Sequence, residues 1–410
     1  MKSEATQPYL IVALIALGVA ATTGLLLRFG LVWGMPSWAA NYTAIRHAHS
    51  HLMYFGWVTL ALMALIWHFL PQLTGQPRPK GVPLQMAASA GLALLSFPAF
   101  WANGYGTTPI GSADLPLGSI AAGLNGLLWL VFVALYLRAT WRLPQRPLAV
   151  QLWDWALILL VLAFSGALGL VAAVMLEIHE PLIQQLALHL FLDLLGLGWF
   201  QLALLGLLWA WLDQQGVGAP RWLPTQSLAL ALVPTFLLGL PPVLLNRDLL
   251  WLAIAANFGA GLLLLVHLVA LWRRRDHLPT LLRYALIALL IHIGTAALLL
   301  WPGLLRWSGG TQLRIFFLHN FLLGWISSAL LALLVAHLAA GTQRQRRGPT
   351  LLWIGGVSTM ILALLGVGLV QFLPISAGLL LRGAAWSSSA VVLAVGWLLA
   401  LILRQSFPNQ

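Results

Sequence analysis

Apolar runs of about 20 residues, separated by short Gly- and Pro-bearing breaks, recur from one end of the chain to the other. Twelve such runs fall at 9–34, 46–70, 82–103, 117–140, 151–176, 182–212, 225–245, 249–272, 280–304, 314–340, 350–374 and 378–404. Each is long enough for a helix to cross a bilayer, and the breaks leave no room for a soluble domain. The pattern predicts an all-α integral membrane protein with one transmembrane domain over 1–410. The first run follows Glu4, extends for about 25 residues and lacks a small-residue cleavage site, so it reads as a retained anchor.

Composition agrees with the pattern. Hydrophobic residues make up 61% of the chain, mean hydropathy is +0.92, and charged residues are only 7%. The formal charge of +12 invites a nucleic-acid reading. Lys and Arg positions give a simpler one. With the N-terminus inside, 15 of the 21 basic residues fall in cytoplasmic segments, among them Arg273–Arg275 and Arg344–Arg347, against six on the outer side. That is the bias that orients membrane proteins, so nucleic acid is not implied. There is no cysteine. Covalent heme c, iron–sulfur clusters, thiolate copper and disulfides are therefore excluded within this chain.

Against this apolar background, Arg46-His47-Ala48-His49-Ser50-His51 stands at the mouth of the second span. Imidazole is a common ligand for heme iron and for copper, and polar groups at membrane depth require a reason. At about 100° per residue, His47 and His51 share one helix face and His49 lies nearly opposite. The pattern echoes. His51 and His319 are each followed at +5 and +6 by Gly-Trp (Gly56-Trp57, Gly324-Trp325) and preceded at −5 by Arg46 and Arg314. In the sixth span, Asp193 precedes Gly198-Trp199 in the same register, with His189 a turn earlier. Spans two, six and ten are four apart, so the chain reads as three pseudo-repeated four-helix units. Gly56 and Gly324 would admit a neighbouring helix or a flat macrocycle. The Trp after each would pack on a ring or join an interfacial belt. Arg46 and Arg314 stand where anionic heme propionates would emerge, and Arg28 is near them.

Twelve spans, a pseudo-threefold repeat and these histidines resemble the catalytic subunit of heme–copper oxidases and nitric oxide reductases. Arg46-x-x-His49, followed by Trp67-His68-Phe69-Leu70-Pro71, is similar to the helix-2 pattern of that family, and His319 with Gly324-Trp325 is similar to its second helix-10 His. His47 to Gly75 is also similar to the NnrS family of heme- and copper-containing membrane proteins. The resemblance implies one low-spin heme b with axial ligands His49 and His319. If the register follows Gly-Trp instead, His51 replaces His49. It leaves copper open as a second metal, and implies a cytochrome c-like or quinol donor, further membrane subunits, and a bacterial cytoplasmic membrane. It also shows departures. Phe317 stands where the family carries the ligand of its gas-binding heme, Asp193 where it carries a copper ligand, and the seventh span has neither His nor Tyr. The oxygen-reducing centre is thus incomplete.

The remaining candidates are weaker. His47 with His51, and His189 with Asp193, have i,i+4 spacing for a metal or a carboxylate–imidazole pair. His292 lies near mid-span, whereas His68, His267, His277 and His337 are expected at the cytoplasmic interface. Two further function classes fit part of the pattern. One is a non-catalytic heme or copper sensor or assembly factor; the other is a twelve-helix transporter, which favours two related halves over three.

Overall fold

A computed structural model describes residues 6–338 and 342–406; Lys2 and Glu4 lie outside them. Eleven helices among the described residues are long and apolar enough to cross a membrane. They are α1 (Gln7–Trp33), α2 (Tyr42–Thr74), α3 (Val82–Asn103), α4 (Leu117–Thr140), α5 (Leu148–Met175), α6 (Pro181–Gln214), α8 (Arg247–Trp272), α9 (Thr280–Leu299), α10 (Leu313–His337), α11 (Gln343–Gly368) and α12 (Ala377–Ser406). The protein is a helical, multi-pass membrane protein.

The count is one short of twelve because the seventh run does not form one long helix. Its α-helical part, α7, covers only Gln226–Leu232 and tightens to a 3₁₀ turn over Val233–Gly239. Leu240 is then extended (φ −72°, ψ 148°) ahead of Pro241-Pro242. Two successive prolines remove donors, and the first forces the residue before it out of the helical region. The ninth run also stops early, at Leu299, and a short helix restarts at Pro302–Gly309. Between α3 and α4 a small antiparallel hairpin forms, with β1 (Thr108–Ile110) paired to β2 (Ala113–Leu115) and Gly111 at φ 62° in its turn.

The chain divides into two compact units: residues 1–71, 76–139 and 311–410, and residues 72–75 and 140–310. In the first, α2 is the most enclosed of the long helices, with 94% of its 18-residue apolar stretch buried, and packs on α1 and α3. Gly56 marks the contact with α1, where an added Cβ would meet Ala16 Cβ at 2.9 Å. In the second, α5 packs on α6, and an added Cβ on Gly198 would meet Leu159 at 2.8 Å. The space above both glycines is taken by a neighbouring helix. The Trp after each Gly is fully buried too: Trp57, Trp199 and Trp325 are 0% exposed, so none belongs to an interfacial belt.

Among the described residues, three π-helical turns interrupt α-helix, over Leu52–Thr59 in α2, Leu194–Phe200 in α6 and Asn320–Ser327 in α10. They begin directly after His51, Asp193 and His319, and each contains the Gly-Trp pair. A π turn widens the helix and leaves a carbonyl short of its usual partner. In α10 the Ser328 hydroxyl donates to Leu323 O at 2.8 Å and accepts the Trp353 indole N–H at 2.9 Å.

Trp57 ties α2 to α10 by donating to the Ser327 hydroxyl at 2.9 Å, across 270 residues of sequence. Both groups are fully buried, so each depends on the other. Trp57→Phe and Ser327→Ala should each lower stability in detergent by about 1–3 kcal/mol, with a double-mutant coupling of about 1 kcal/mol. Thermal unfolding of the four proteins checks this; additive losses would show that the pair does not interact.

Candidate functional site

Helix α2 starts at an Asn41 cap, whose side chain accepts from Ala44 N at 3.0 Å, and stays α-helical through His51. The 100° spacing therefore holds across the triplet. His47 and His51 both turn toward Tyr105, whereas His49 turns toward α1.

On the α1 side, His49 Nδ1 lies 2.8 Å from Ala20 O. A carbonyl only accepts, so Nδ1 carries the hydrogen and Nε2 keeps its lone pair. Gly24 makes the approach possible: a Cβ there would sit 3.0 Å from His49 Cε1 and 3.5 Å from Arg28 Nη1. Arg28 is thus beside the His49 ring. On α10, His319 Nδ1 is fixed in the same way, 2.7 Å from Ile315 O one turn earlier. His319 is within electrostatic range of both Arg28 and His49. Neither imidazole is fully covered. Two imidazoles on different helices, each with Nδ1 tied to backbone and Nε2 available, therefore flank one guanidinium.

The order of contacts fixes the direction of the two helices. Going along the chain, His49 nears His319, Trp57 bonds Ser327, and the His68 and His337 rings meet at 3.9 Å. Helices α2 and α10 therefore run parallel, and the offset of the Trp57–Ser327 bond also sets His49 level with His319.

His51 is engaged elsewhere. Its Nε2 is 2.7 Å from the Tyr105 hydroxyl, and its ring stacks on Phe100 at 3.8 Å and 13°. His47 meets Tyr105 edge-on at 4.8 Å. Gly104, at φ 60°, ends α3 and turns Tyr105 onto this face. Burial and nearby Tyr54 push the phenol up to about 12. The protonated Tyr105 hydroxyl and His51 Nε2 share one hydrogen.

The other candidates are dispersed. Arg46 and Arg314 are exposed at the starts of α2 and α10; Arg28 is the arginine beside the histidines. In the second unit, His189 Nδ1 is 3.0 Å from Asp193 Oδ2, and its ring lies so close over Gly239 that an added Cβ would overlap it. His292 is buried in α9. His267 is fully buried, accepting from Trp209 Nε1 at 3.3 Å and donating to Pro224 O at 2.8 Å. His68 is buried as well, against His337, with Arg78 nearby donating to Trp67 O at 2.6 Å. Among the described residues, no group of three or more His, Cys, Asp or Glu is placed to hold a metal ion. Three partners escaped sequence reasoning: Ala20, Gly24 and Tyr105. A polar residue soon after a helix-ending glycine was the available signal for Tyr105.

No protein-family model matches the chain, and no curated protein matches it.

Gly239→Ala should drive the His189 ring from Asp193 and cost about 1–3 kcal/mol. Gly294→Ala on α9, where nothing lies within 4 Å of an added Cβ, should be neutral or stabilising by up to about 1 kcal/mol. Melting temperatures of the two variants would separate overlap from a general effect of adding a methyl group.

Proposed function

We propose that this chain is a membrane b-type heme protein resembling the heme–copper oxidase and nitric oxide reductase catalytic subunits. It serves electron transfer, or nitric oxide or oxygen handling, at the outer side of a bacterial cytoplasmic membrane. The observation that carries the reading is the His49–His319 pair, with both Nδ1 atoms committed to backbone carbonyls and Arg28 beside them. Histidines that ligate a metal through Nε2 are typically oriented by such a bond at Nδ1. Gly24 supports the fit, because a side chain there would push on His49. What heme supplies when bound is reversible one-electron chemistry at iron, and two imidazoles would leave that iron coordinatively full. Electron transfer is then the direct expectation. Arg28 would pair with a propionate carboxylate or offset its charge.

The threefold reading belongs to the same proposal. Twelve elements, with α7 as a shortened seventh, form three four-helix units, and α2, α6 and α10 are their equivalent members. Two patterns support it. Each of these helices carries its π turn at the Gly-Trp pair, and each Trp is followed two residues later by a buried polar side chain: Thr59, Gln201 and Ser327. His49 is preferred over His51 as the axial ligand, since His51 is held by Tyr105 and Phe100. A cytochrome c-like or quinol donor would supply the electrons.

Purified protein should give a sharp low-spin b-type band in a reduced-minus-oxidised spectrum. His49→Ala and His319→Ala should each abolish it, and His51→Ala should retain it. A colourless, iron-free wild-type preparation would contradict the proposal, and loss of the band in His51→Ala alone would move the ligand to His51.

A further inference from the structure

The face of α2 opposite His49 is a separate donor set that the heme reading does not use. From the geometry of His47, His51 and Tyr105 we infer a second site, for a divalent transition-metal ion held by two imidazoles and one phenolate. The rings converge from three directions. His51 and Tyr105 already share a hydrogen across 2.7 Å, His47 meets Tyr105 at 4.8 Å, and the two imidazoles are 6.5 Å apart between centroids. Two imidazoles on one ion, with metal–nitrogen bonds of about 2.0–2.1 Å and angles of about 90–110°, place their centroids about 4.5–5.3 Å apart. Binding therefore draws the half-buried His47 ring inward by about 1–2 Å.

The site is built rather than incidental. Phe100 stacks on His51 and holds its ring plane, while Gly104 brings Tyr105 over the pair. Gly104 also lies against His47, since a Cβ on it would be 3.4 Å from His47 Cδ2. Part of the Tyr105 ring reaches the surface, the residue being 51% exposed, whereas His51 beneath it is buried. The charged group beside the cluster is Arg46, which is exposed and so screened by solvent. The ion takes the place of the hydrogen between the phenol and His51 Nε2. Tyr105 gives up its proton to solvent, its oxygen and His51 Nε2 each donate a lone pair to the metal, and His47 donates the third. The metal keeps its oxidation state. Two nitrogens and one phenolate oxygen suit Cu²⁺ above the other divalent first-row metals.

The test uses full-length protein purified in detergent without a histidine tag, stripped with chelator and titrated with Cu²⁺. One tightly held copper per chain is expected, with nitrogen hyperfine structure from two imidazoles in its electron paramagnetic resonance spectrum and a phenolate-to-copper absorption band. Tyr105→Phe, which keeps the ring and the fold, should abolish that band and weaken binding at least tenfold. The His47→Ala/His51→Ala pair should remove the nitrogen pattern, and His179→Ala, at an exposed loop histidine, should change nothing. An adventitious ion only, meaning copper that survives the double variant or weakens in His179→Ala, would overturn the inference. So would an unchanged band in Tyr105→Phe. The readout needs no heme, so its failure leaves the heme proposal standing, and the reverse also holds.

Discussion

A single hydrogen bond, from the Trp57 indole to the Ser327 hydroxyl, sets the register on which the candidate site depends. In an apolar interior neither group has water to turn to, so the pair resists sliding of α2 along α10. Moving either helix by one residue would turn its side chains by about 100° and break this bond. Eight residues before it on each helix stands a histidine with its Nδ1 tied to backbone. The depth and facing of His49 and His319 thus follow from a contact that belongs to neither.

The π turns explain how such close packing coexists with bulky tryptophans. Those in α2 and α6 lie where Gly56 and Gly198 let a neighbouring helix approach, and the Trp after the Gly is fully buried in all three. The cost is an irregular backbone ladder, which no lipid can satisfy. Ser328 meets part of that need in α10, since its hydroxyl serves Leu323 O while also receiving Trp353.

Much of the helical framework was legible from apolar run length, because a crossing helix must bury all its backbone within one segment. The seventh run misled because apolar length says nothing about backbone continuity: Pro234 stands where the α-helix gives way to the 3₁₀ turn, and Pro241-Pro242 follows where that turn ends. The Gly-Trp echo was visible, but the π geometry was not, since 3.6-residue periodicity cannot register an expanded turn. Within the site, the opposed faces of His47/His51 and His49 follow from helical phase alone. Ala20, Gly24 and Tyr105 do not, because they come from other helices or loops and contribute a carbonyl, an absence of side chain and a hydroxyl that carry no motif. Arg28 was in view only as a neighbour of Arg46 and Arg314, and tertiary packing makes it the arginine beside the pair. The partners of His267 were not legible, because hydropathy says nothing about its bonds to Trp209 and Pro224.

The central claim is that α2 and α10 present His49 and His319 to one iron. Near-infrared magnetic circular dichroism with electron paramagnetic resonance on the oxidised, purified protein reads the axial ligands of a ferric heme directly. The account predicts a low-spin ferric centre with two imidazole ligands, turning high-spin when either His49 or His319 is replaced by Ala and heme is still retained. A high-spin or single-imidazole wild-type signal, or a bis-imidazole signal that survives replacement of His319, would contradict it.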